Sequence, residues 1–154
     1  IQAVMCASPT YLERMGMPQT PQQLIHHRCL VYNLISNFDH WDLYDDDGQL
    51  TSIKIVPYLK ASNGEFLRDA AVAGLGIVLM PTFIVYQEIE RGALIPLLTE
   101  FHASQLTAYA IYPQTRHLSQ RVRALVDFLV KRFEGTPYWD VCLQDEKKTG
   151  DNVA

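Results

Sequence analysis

The chain has 154 residues, of which 48% are hydrophobic and 19% charged, a composition typical of one globular domain. Its formal net charge of -4 excludes a chain-wide basic surface for a nucleic-acid backbone. The three widely spaced cysteines, Cys6, Cys29 and Cys142, exclude a disulfide framework and favour a reducing compartment. No apolar run is long enough to predict a membrane span or a secretion signal.

The first part of the chain predicts short apolar strands alternating with helices. Residues 3–7 and 29–32 are apolar and read as buried strands. Ser8 and Thr20 are each followed by proline, the pattern of an N-cap before the first helical position. Gly16 is expected to end the first of these two helices.

A hairpin is predicted in the next segment. Residues 41–44 and 50–56 alternate or are β-branched around an Asp-Asp-Asp-Gly turn, in which Gly48 supplies a positive φ. A calcium loop would need an acid at position 43 and a glutamate at position 54. Because Leu43 and Lys54 stand there, we interpret the acidic run as a solvated turn.

The second half predicts more alternation of helices and strands. The predicted elements are a helix over 64–75, a strand over 76–80, a helix over 82–91, an apolar segment over 94–98 and a strand over 106–112. Such alternation is typical of the α/β class with a mostly parallel sheet. Ligands of such sheets bind beyond the carboxyl ends of the strands, which predicts one rim made of Ser8, the loop after Tyr32, Asn63 and Pro81.

The last predicted helix covers residues 118–133 and has a single apolar stripe. Beyond Asp140 the apolar pattern ends, and residues 141–154 are expected to form a disordered polar tail. The stripe consists of Leu118, Val122, Leu125, Val126, Leu129 and Phe133.

The start of the helix at Asn63 allows two interpretations. The side chain of Asn63 can cap the helix, while the backbone N–H groups of Gly64 and Glu65 favour an anion such as a carboxylate. Alternatively, Asn63 is only a cap and Glu65 already satisfies the helix dipole. Both interpretations stay open on the sequence.

No residue pattern indicates catalysis or a metal. His26 and His27 precede Cys29, but adjacent residues face different directions, so a thiol nucleophile is not expected there. The histidines lack metal-ligand spacing, no nucleophile elbow is present, and no cofactor is expected. A redox role for Cys6, Cys29 or Cys142 cannot be read from their spacing.

Several stretches in one order resemble a known family. ASPTYLERMGMPQTPQQLIHHRCLVY, SNGEFLRDAAVAGLGIVLMPTFIV, IERGALIPLL and YAIYPQTRHLSQRVRALVDFLVKRF together resemble the effector-binding domain of LysR-type transcriptional regulators. The resemblance spans about residues 3–140. It implies a fold like that of the type 2 periplasmic binding proteins, with one complete lobe and part of the second.

The resemblance implies a cytoplasmic sensor of a small effector that is not an enzyme. Residues 1–140 would be the effector-binding domain, with 9–100 as the second lobe and with 3–7 and 106–133 as crossover and returning elements. The DNA-binding part is expected outside this chain, which we expect to be a fragment, since no methionine precedes Ile1. DNA would therefore be bound only through that part.

Carried over position by position, the resemblance predicts effector contacts and a self-association surface. The alternative function is a solute-binding protein of the same fold in small-molecule uptake. The homodimer or higher oligomer is expected to use Val122, Leu125 and Leu129. The predicted effector-binding residues are Ser8, Asn33, Asn63, Gly64, Glu65, Pro81 and Phe83.

Overall fold

The computed structural model describes residues 1–104, 106–112 and 119–141. The chain divides into two compact units, Ile1–Leu106 and Thr107–Ala154. The strands are β1 (Ala3–Ala7), β2 (Cys29–Tyr32), β3 (His40–Tyr44), β4 (Leu50–Lys54), β5 (Pro57–Ala61), β6 (Ile77–Pro81), β7 (Ile95–Leu97) and β8 (His102–Ala103). The α-helices are α1 (Pro9–Met15), α2 (Gly64–Val72), α3 (Thr82–Glu90) and α4 (Gln120–Phe133), and 3-10 helices cover Pro21–His26 and Tyr138–Asp140.

A five-stranded sheet with the order β5-β2-β6-β1-β7 forms the centre of the first unit. β2 is parallel to β5 and β6, whereas β1 is antiparallel to both of its neighbours, β6 and β7. Four strands therefore run in one direction and β1 alone runs in the other. The α/β class is confirmed, and the sheet is mixed.

The reversed strand β1 determines which residues meet at each edge of the sheet. Ala3 pairs with Pro81, and Cys6 pairs with Val78. The start of β1 consequently lies beside the carboxyl end of β6. The end of β1 lies at the opposite edge, next to β7, where Ala7 pairs with Ile95.

A second sheet, in the order β4-β3-β8, contains the predicted hairpin. β3 and β4 are antiparallel, and Gly48 in their turn has a φ of 78°. Trp41 and Leu43 are buried while His40 and Asp42 are exposed, as period-two alternation predicts. Trp41 and Leu43 join the main core, so the second sheet packs onto the same apolar cluster as the first. That cluster also contains Met5, Ala7, Tyr11, Leu12, Leu24, Cys29, Val31, Ile53, Ile55, Ile77, Leu97 and Leu98.

Several predicted elements are confirmed and others differ. α1 begins after Ser8, whose Oγ accepts a hydrogen bond from the Tyr11 N–H at 3.3 Å. The segment after Thr20 is a 3-10 helix in which the Thr20 side chain makes no capping hydrogen bond. β5 and β8 were not predicted. The sequence of β5 begins with Pro, Tyr and Leu in succession and so does not alternate apolar with polar residues, although its burial does alternate, and β8 has only two residues.

The predicted strand over residues 106–112 is wrong. Leu106 forms one antiparallel pair with Ile1, in which each backbone N donates to the other residue's carbonyl oxygen, at 2.9 and 3.1 Å. The remaining residues have no strand partner in the part of the chain that the structure describes, and Tyr109 and Ile111 are 79% and 93% exposed. An apolar sequence becomes a strand only where a neighbouring strand satisfies its backbone groups.

The predicted helix near the carboxyl end is confirmed as α4, although Leu118 lies outside the described residues. No residue of α4 is buried. Phe133 and Trp139 pack with their ring centres 5.6 Å apart, which joins the end of α4 to the following 3-10 helix. The predicted disorder of the tail concerns residues that, except for Val141, also lie outside the described part.

Gly76 lies where the connection from α2 to β6 passes the backbone of Arg28. A Cβ atom on Gly76 would lie 2.2 Å from the carbonyl oxygen of Arg28. The same oxygen accepts a hydrogen bond from the Ile77 N–H at 2.8 Å, so it is held in place. Only glycine fits this close approach of two backbone segments.

Gly76→Ala is expected to lower the free energy of unfolding by about 3 kcal/mol, because overpacking against fixed atoms costs about 1–3 kcal/mol and sometimes more. Gly92→Ala is the matched control, since Gly92 has a φ of 72° and no atom within 4 Å of a Cβ. That control is expected to lose only about 1–2 kcal/mol through left-handed strain. Urea denaturation measures both, and equal losses would contradict the steric role of Arg28.

A buried tyrosine contacts a histidine whose pKa is lowered in the folded chain. The Tyr11 hydroxyl accepts a hydrogen bond from the Arg28 N–H at 2.9 Å and lies 3.1 Å from Nδ1 of His27. The hydroxyl proton can then be donated to the unprotonated His27 nitrogen. Burial lowers the pKa of His27, and the neighbouring His26 lowers this pKa further.

The stability of the fold is therefore expected to fall with pH below about 6.5, the ordinary pKa of an unfolded histidine. The folded chain binds the His27 proton less tightly than the unfolded chain, so this contribution is complete above that pH and is lost as pH falls through the lowered pKa. Thermal midpoints between pH 8 and pH 5 test this. His27→Gln should flatten the profile, and His26→Gln should keep most of its slope; the opposite pattern would contradict the assignment.

Candidate functional site

A cavity of about 540 Å³ lies at the edge of the main sheet where β2 and β6 end and β1 begins. We call it the edge cavity. Its volume falls within the range of about 300–1,000 Å³ that is usual for small-molecule sites. The wall residues come from both sheets, from the starts of α2 and α3, and from the loop between β2 and β3.

The wall of the edge cavity is mostly apolar. Its polar side chains are few and come from the end of β2, the loop after it, β3 and the segment after β8. The polar lining residues are Tyr32, Ser36, His40, Asp42 and Ser104. The apolar lining residues are Ala3, Leu30, Val31, Ile35, Phe38, Trp41, Leu79, Met80, Pro81, Phe83, Ile84, Ala103 and Leu106, together with Gly64.

The start of α2 brings backbone to the wall of the edge cavity. Asn63 caps the helix, with its Oδ1 accepting a hydrogen bond from the Phe66 N–H at 2.9 Å. A Cβ atom on Gly64 would lie 2.8 Å from Cε of Met80 and 2.9 Å from Cδ1 of Ile84. The glycine therefore leaves room for two side chains of the wall, both of which present flexible ends to it.

The histidine and the carboxylate of the wall, His40 and Asp42, lie on β3. Nδ1 of His40 lies 3.0 Å from Oδ1 of Asp39, and this hydrogen bond holds the pKa of Asp39 below its ordinary value. Oδ1 of Asp42 accepts a hydrogen bond from the Ser52 hydroxyl at 2.5 Å. This bond fixes one oxygen of the Asp42 carboxylate. The second oxygen has no protein hydrogen-bond partner in the described part of the chain. Asp42 itself is exposed.

The structure brings three of the predicted site residues together, since Gly64, Pro81 and Phe83 all line the edge cavity. Asn63 and Glu65 flank Gly64 without lining the cavity, and Glu65 is exposed in the first turn of α2. The start of α2 and the ends of two parallel strands thus form one wall, as the rule for α/β sheets predicts.

Asn33 lies in the chain between two lining residues, Tyr32 and Ile35, but is not itself part of the wall. Its backbone N–H donates to the carbonyl oxygen of Ala61 at 3.0 Å, which extends the pairing of β2 with β5 by one residue. Its side chain is exposed.

The prediction that Ser8 shares this rim is wrong. Ser8 follows the end of β1, and because β1 is antiparallel to β6, that end lies at the edge of the sheet away from Pro81. Ser8 is only 2% exposed and its hydroxyl caps α1. The rule for parallel strands fails here because it was applied to the one strand that runs the other way.

Sequence reasoning missed the part of the wall contributed by β3. His40, Trp41 and Asp42 are adjacent in the chain, and all three line the edge cavity. Their alternation predicted a hairpin but carried no information on where the second sheet lies. The loop after Tyr32, which leads into β3, was predicted to lie on this rim, and it supplies Ile35, Ser36 and Phe38 to the wall.

The two described cysteines are buried and not activated. Burial raises the pKa of Cys6 far above its ordinary value and raises that of Cys29 to about 12. Such thiols remain protonated at neutral pH and are poor nucleophiles. Cys142 lies outside the described residues. Within residues 1–104, 106–112 and 119–141 there is no group of three His, Cys, Asp or Glu placed to hold a metal.

No helix in the described part of the chain is long and apolar enough to cross a membrane.

A family model described as the LysR substrate binding domain matches residues 1–134. The chain belongs to this family. Relatives that contain this domain are regulators of transcription, which favours a regulatory function over the alternative of solute uptake.

Among curated relatives, the HTH-type transcriptional regulator CrgA of Neisseria meningitidis serogroup B is 36% identical over 126 residues, which is 81% of this chain and 42% of that protein. The solved regulatory domain of CrgA is 34% identical with a TM-score of 0.66, covering 84% of this chain and 63% of that one. The full-length Vibrio cholerae virulence activator AphB is 28% identical with a TM-score of 0.60, covering 67% and 35%. The periplasmic-binding-protein-like fold is thereby confirmed. The chain spans 42% of the length of the regulator CrgA.

Proposed function

We propose that this domain senses a small organic effector in the edge cavity and so controls a LysR-type regulator of transcription. The observation that supports this most is the position of the cavity, at the edge where β2 and β6 end and α2 begins. Brought together there, an apolar wall and a few polar groups suit a ligand that is partly apolar and carries hydrogen-bonding groups.

In this proposal, Gly64, Pro81 and Phe83 contact the effector. Asn63 and Glu65 flank the first of them and shape the start of α2. Asn33 does not line the cavity itself. It begins the loop whose later side chains form part of the wall. The effector binds without being turned over, consistent with the regulators that the chain resembles.

The DNA contacts of the regulator lie in a part of the protein other than this domain, and the protein works in the cytoplasm. A formal net charge of -4 supports the first statement, because a DNA-binding surface needs a basic field. A cytoplasmic regulator reaches both its effector and its operator, and the two buried protonated thiols suit a reducing compartment.

Filling the edge cavity is expected to abolish effector binding without unfolding the domain. Ser36→Trp places a large side chain on an exposed lining residue, and Thr99→Trp is the control at an exposed position away from the wall. A collection of small organic acids, amines and lactones is screened by thermal shift, and the hits are measured by calorimetry. Compounds that stabilise the parent chain and the control should not stabilise Ser36→Trp. Unchanged binding by Ser36→Trp, or no stabilising compound, would contradict the proposal.

We further propose that α4 contributes to self-association. Val122 and Leu129 are partly exposed and Leu125 is 57% exposed, so the apolar stripe of this helix is uncovered. Other large apolar side chains near this stripe are also open, including Phe128 at 63% and Phe133 at 49%. A contiguous apolar surface of this kind marks an interaction site.

Analytical ultracentrifugation across micromolar concentrations is expected to show a homodimer or a higher oligomer. The double variant Val122→Glu with Leu129→Glu should be a monomer, because it places two charges in the apolar contact. Arg123→Glu, on an exposed position of the same helix, should associate as the parent does. A parent chain that stays monomeric at every concentration would contradict the role of α4.

A further inference from the structure

Asp42 is the one aspartate or glutamate among the residues that line the edge cavity. The residues that line the cavity all lie in the described part of the chain, and none of them is lysine or arginine. The imidazole of His40 also lines the cavity, but its Nδ1 already lies 3.0 Å from the carboxylate of Asp39. No unpaired cationic side chain of the wall is therefore placed to neutralise a carboxylate or phosphate of a ligand.

The start of α2 does not compensate for the missing cations. The Phe66 N–H is already bound to the side chain of Asn63 at 2.9 Å. Glu65 places a carboxylate in the first turn of the helix, where it interacts favourably with the helix dipole. An anionic ligand at Gly64 would meet this negative charge as well as that of Asp42.

Aromatic rings make up a large share of the same wall. Tyr32, Phe38, Trp41 and Phe83 all line the edge cavity. The faces of such rings attract cations. Phe38 already receives one from the protein, because Nζ of Lys60 lies 4.5 Å from its ring centre, although Lys60 itself does not line the wall.

Asp42 is well placed to act as the counter-ion of a cation. Its Oδ1 is held by the Ser52 hydroxyl, and a carboxylate retains acceptor capacity at its second oxygen. Because Asp42 is exposed, its charge is hydrated when the cavity is empty, and burial imposes no penalty on it.

We infer that the edge cavity binds a protonated amine on an aromatic or other apolar body, with Asp42 as its counter-ion. This inference rests on the proposed function and names the class of effector. The ammonium group pairs with the carboxylate, and the apolar body lies among the aromatic rings. A carboxylate-bearing molecule of the same size should bind more weakly, because its charge repels that of Asp42.

Three probes with the same phenylethyl body test the inference: 2-phenylethylamine, 2-phenylethanol and 3-phenylpropanoate. They differ in carrying a positive charge, no charge or a negative charge. Calorimetry on the parent chain is expected to give the lowest Kd for the amine, about tenfold below that of the alcohol, which corresponds to about 1.4 kcal/mol. The carboxylate should bind more weakly than the alcohol.

The matched pair of variants is Asp42→Asn and Asp47→Asn. Both remove one carboxylate from the same hairpin, but Asp47 does not line the cavity. Asp42→Asn keeps an oxygen to accept from Ser52, so folding is preserved, and it should weaken amine binding about tenfold while leaving the alcohol unchanged. Asp47→Asn should bind all three probes as the parent does.

The possible results separate this inference from the proposed function. Carboxylate binding as tight as amine binding, or amine binding unaffected by Asp42→Asn, would overturn the amine inference and leave the edge cavity as the effector site. Equal weakening by both variants would also overturn it, since the effect would then be one of net charge. No binding of any probe would count against both the inference and the proposed cavity.

Discussion

The pairing of β1 with two antiparallel neighbours is the constraint on which the rest of the first unit depends. β6 and β7 both pair with β1, so its backbone groups are satisfied on both sides within the sheet. Because β1 runs against its two neighbours, its start lies at the edge where β2 and β6 end. The same reversal sends Ser8 to the other edge, where it is buried and caps α1. One strand direction thus decides which polar residues can reach a ligand and which serve the fold.

The second sheet gives the edge cavity its chemical character. The first sheet and the starts of α2 and α3 supply mostly apolar atoms and backbone, whereas β3 supplies the titratable side chains His40 and Asp42. Because Trp41 is buried in the core between them, the position of these two residues is fixed by apolar packing. A hydrogen bond from Ser52 then orients the Asp42 carboxylate. The charge of the wall therefore comes from the hairpin of β3 and β4. Local sequence predicts this hairpin but not its position against the first sheet.

The sequence predicted most of the elements, but of the wall it predicted only Gly64, Pro81, Phe83 and the loop after Tyr32, and this division has physical reasons. Ser8, Asn63 and Gly48 act through neighbours a few residues away, and their caps and turn are readable from local pattern. The direction of β1 and the pairing of residues 106–112 depend on partners far along the chain, which local pattern does not encode. The apolar sequence of residues 106–112 therefore predicted a strand, and the exposed segment is not one.

The close contact at Gly64 has a consequence for how this domain can diversify. The space that a Cβ would need at position 64 is occupied by the tips of Met80 and Ile84, which are themselves part of the wall. A side chain at position 64 is compatible with the fold only when residue 80 or residue 84 is shortened or turned into the cavity. These three positions, which lie on a helix start, a strand and a second helix, should therefore vary together among members of the family. If one group of family members came to recognise a different ligand, we would expect correlated changes in side-chain size at positions 64, 80 and 84.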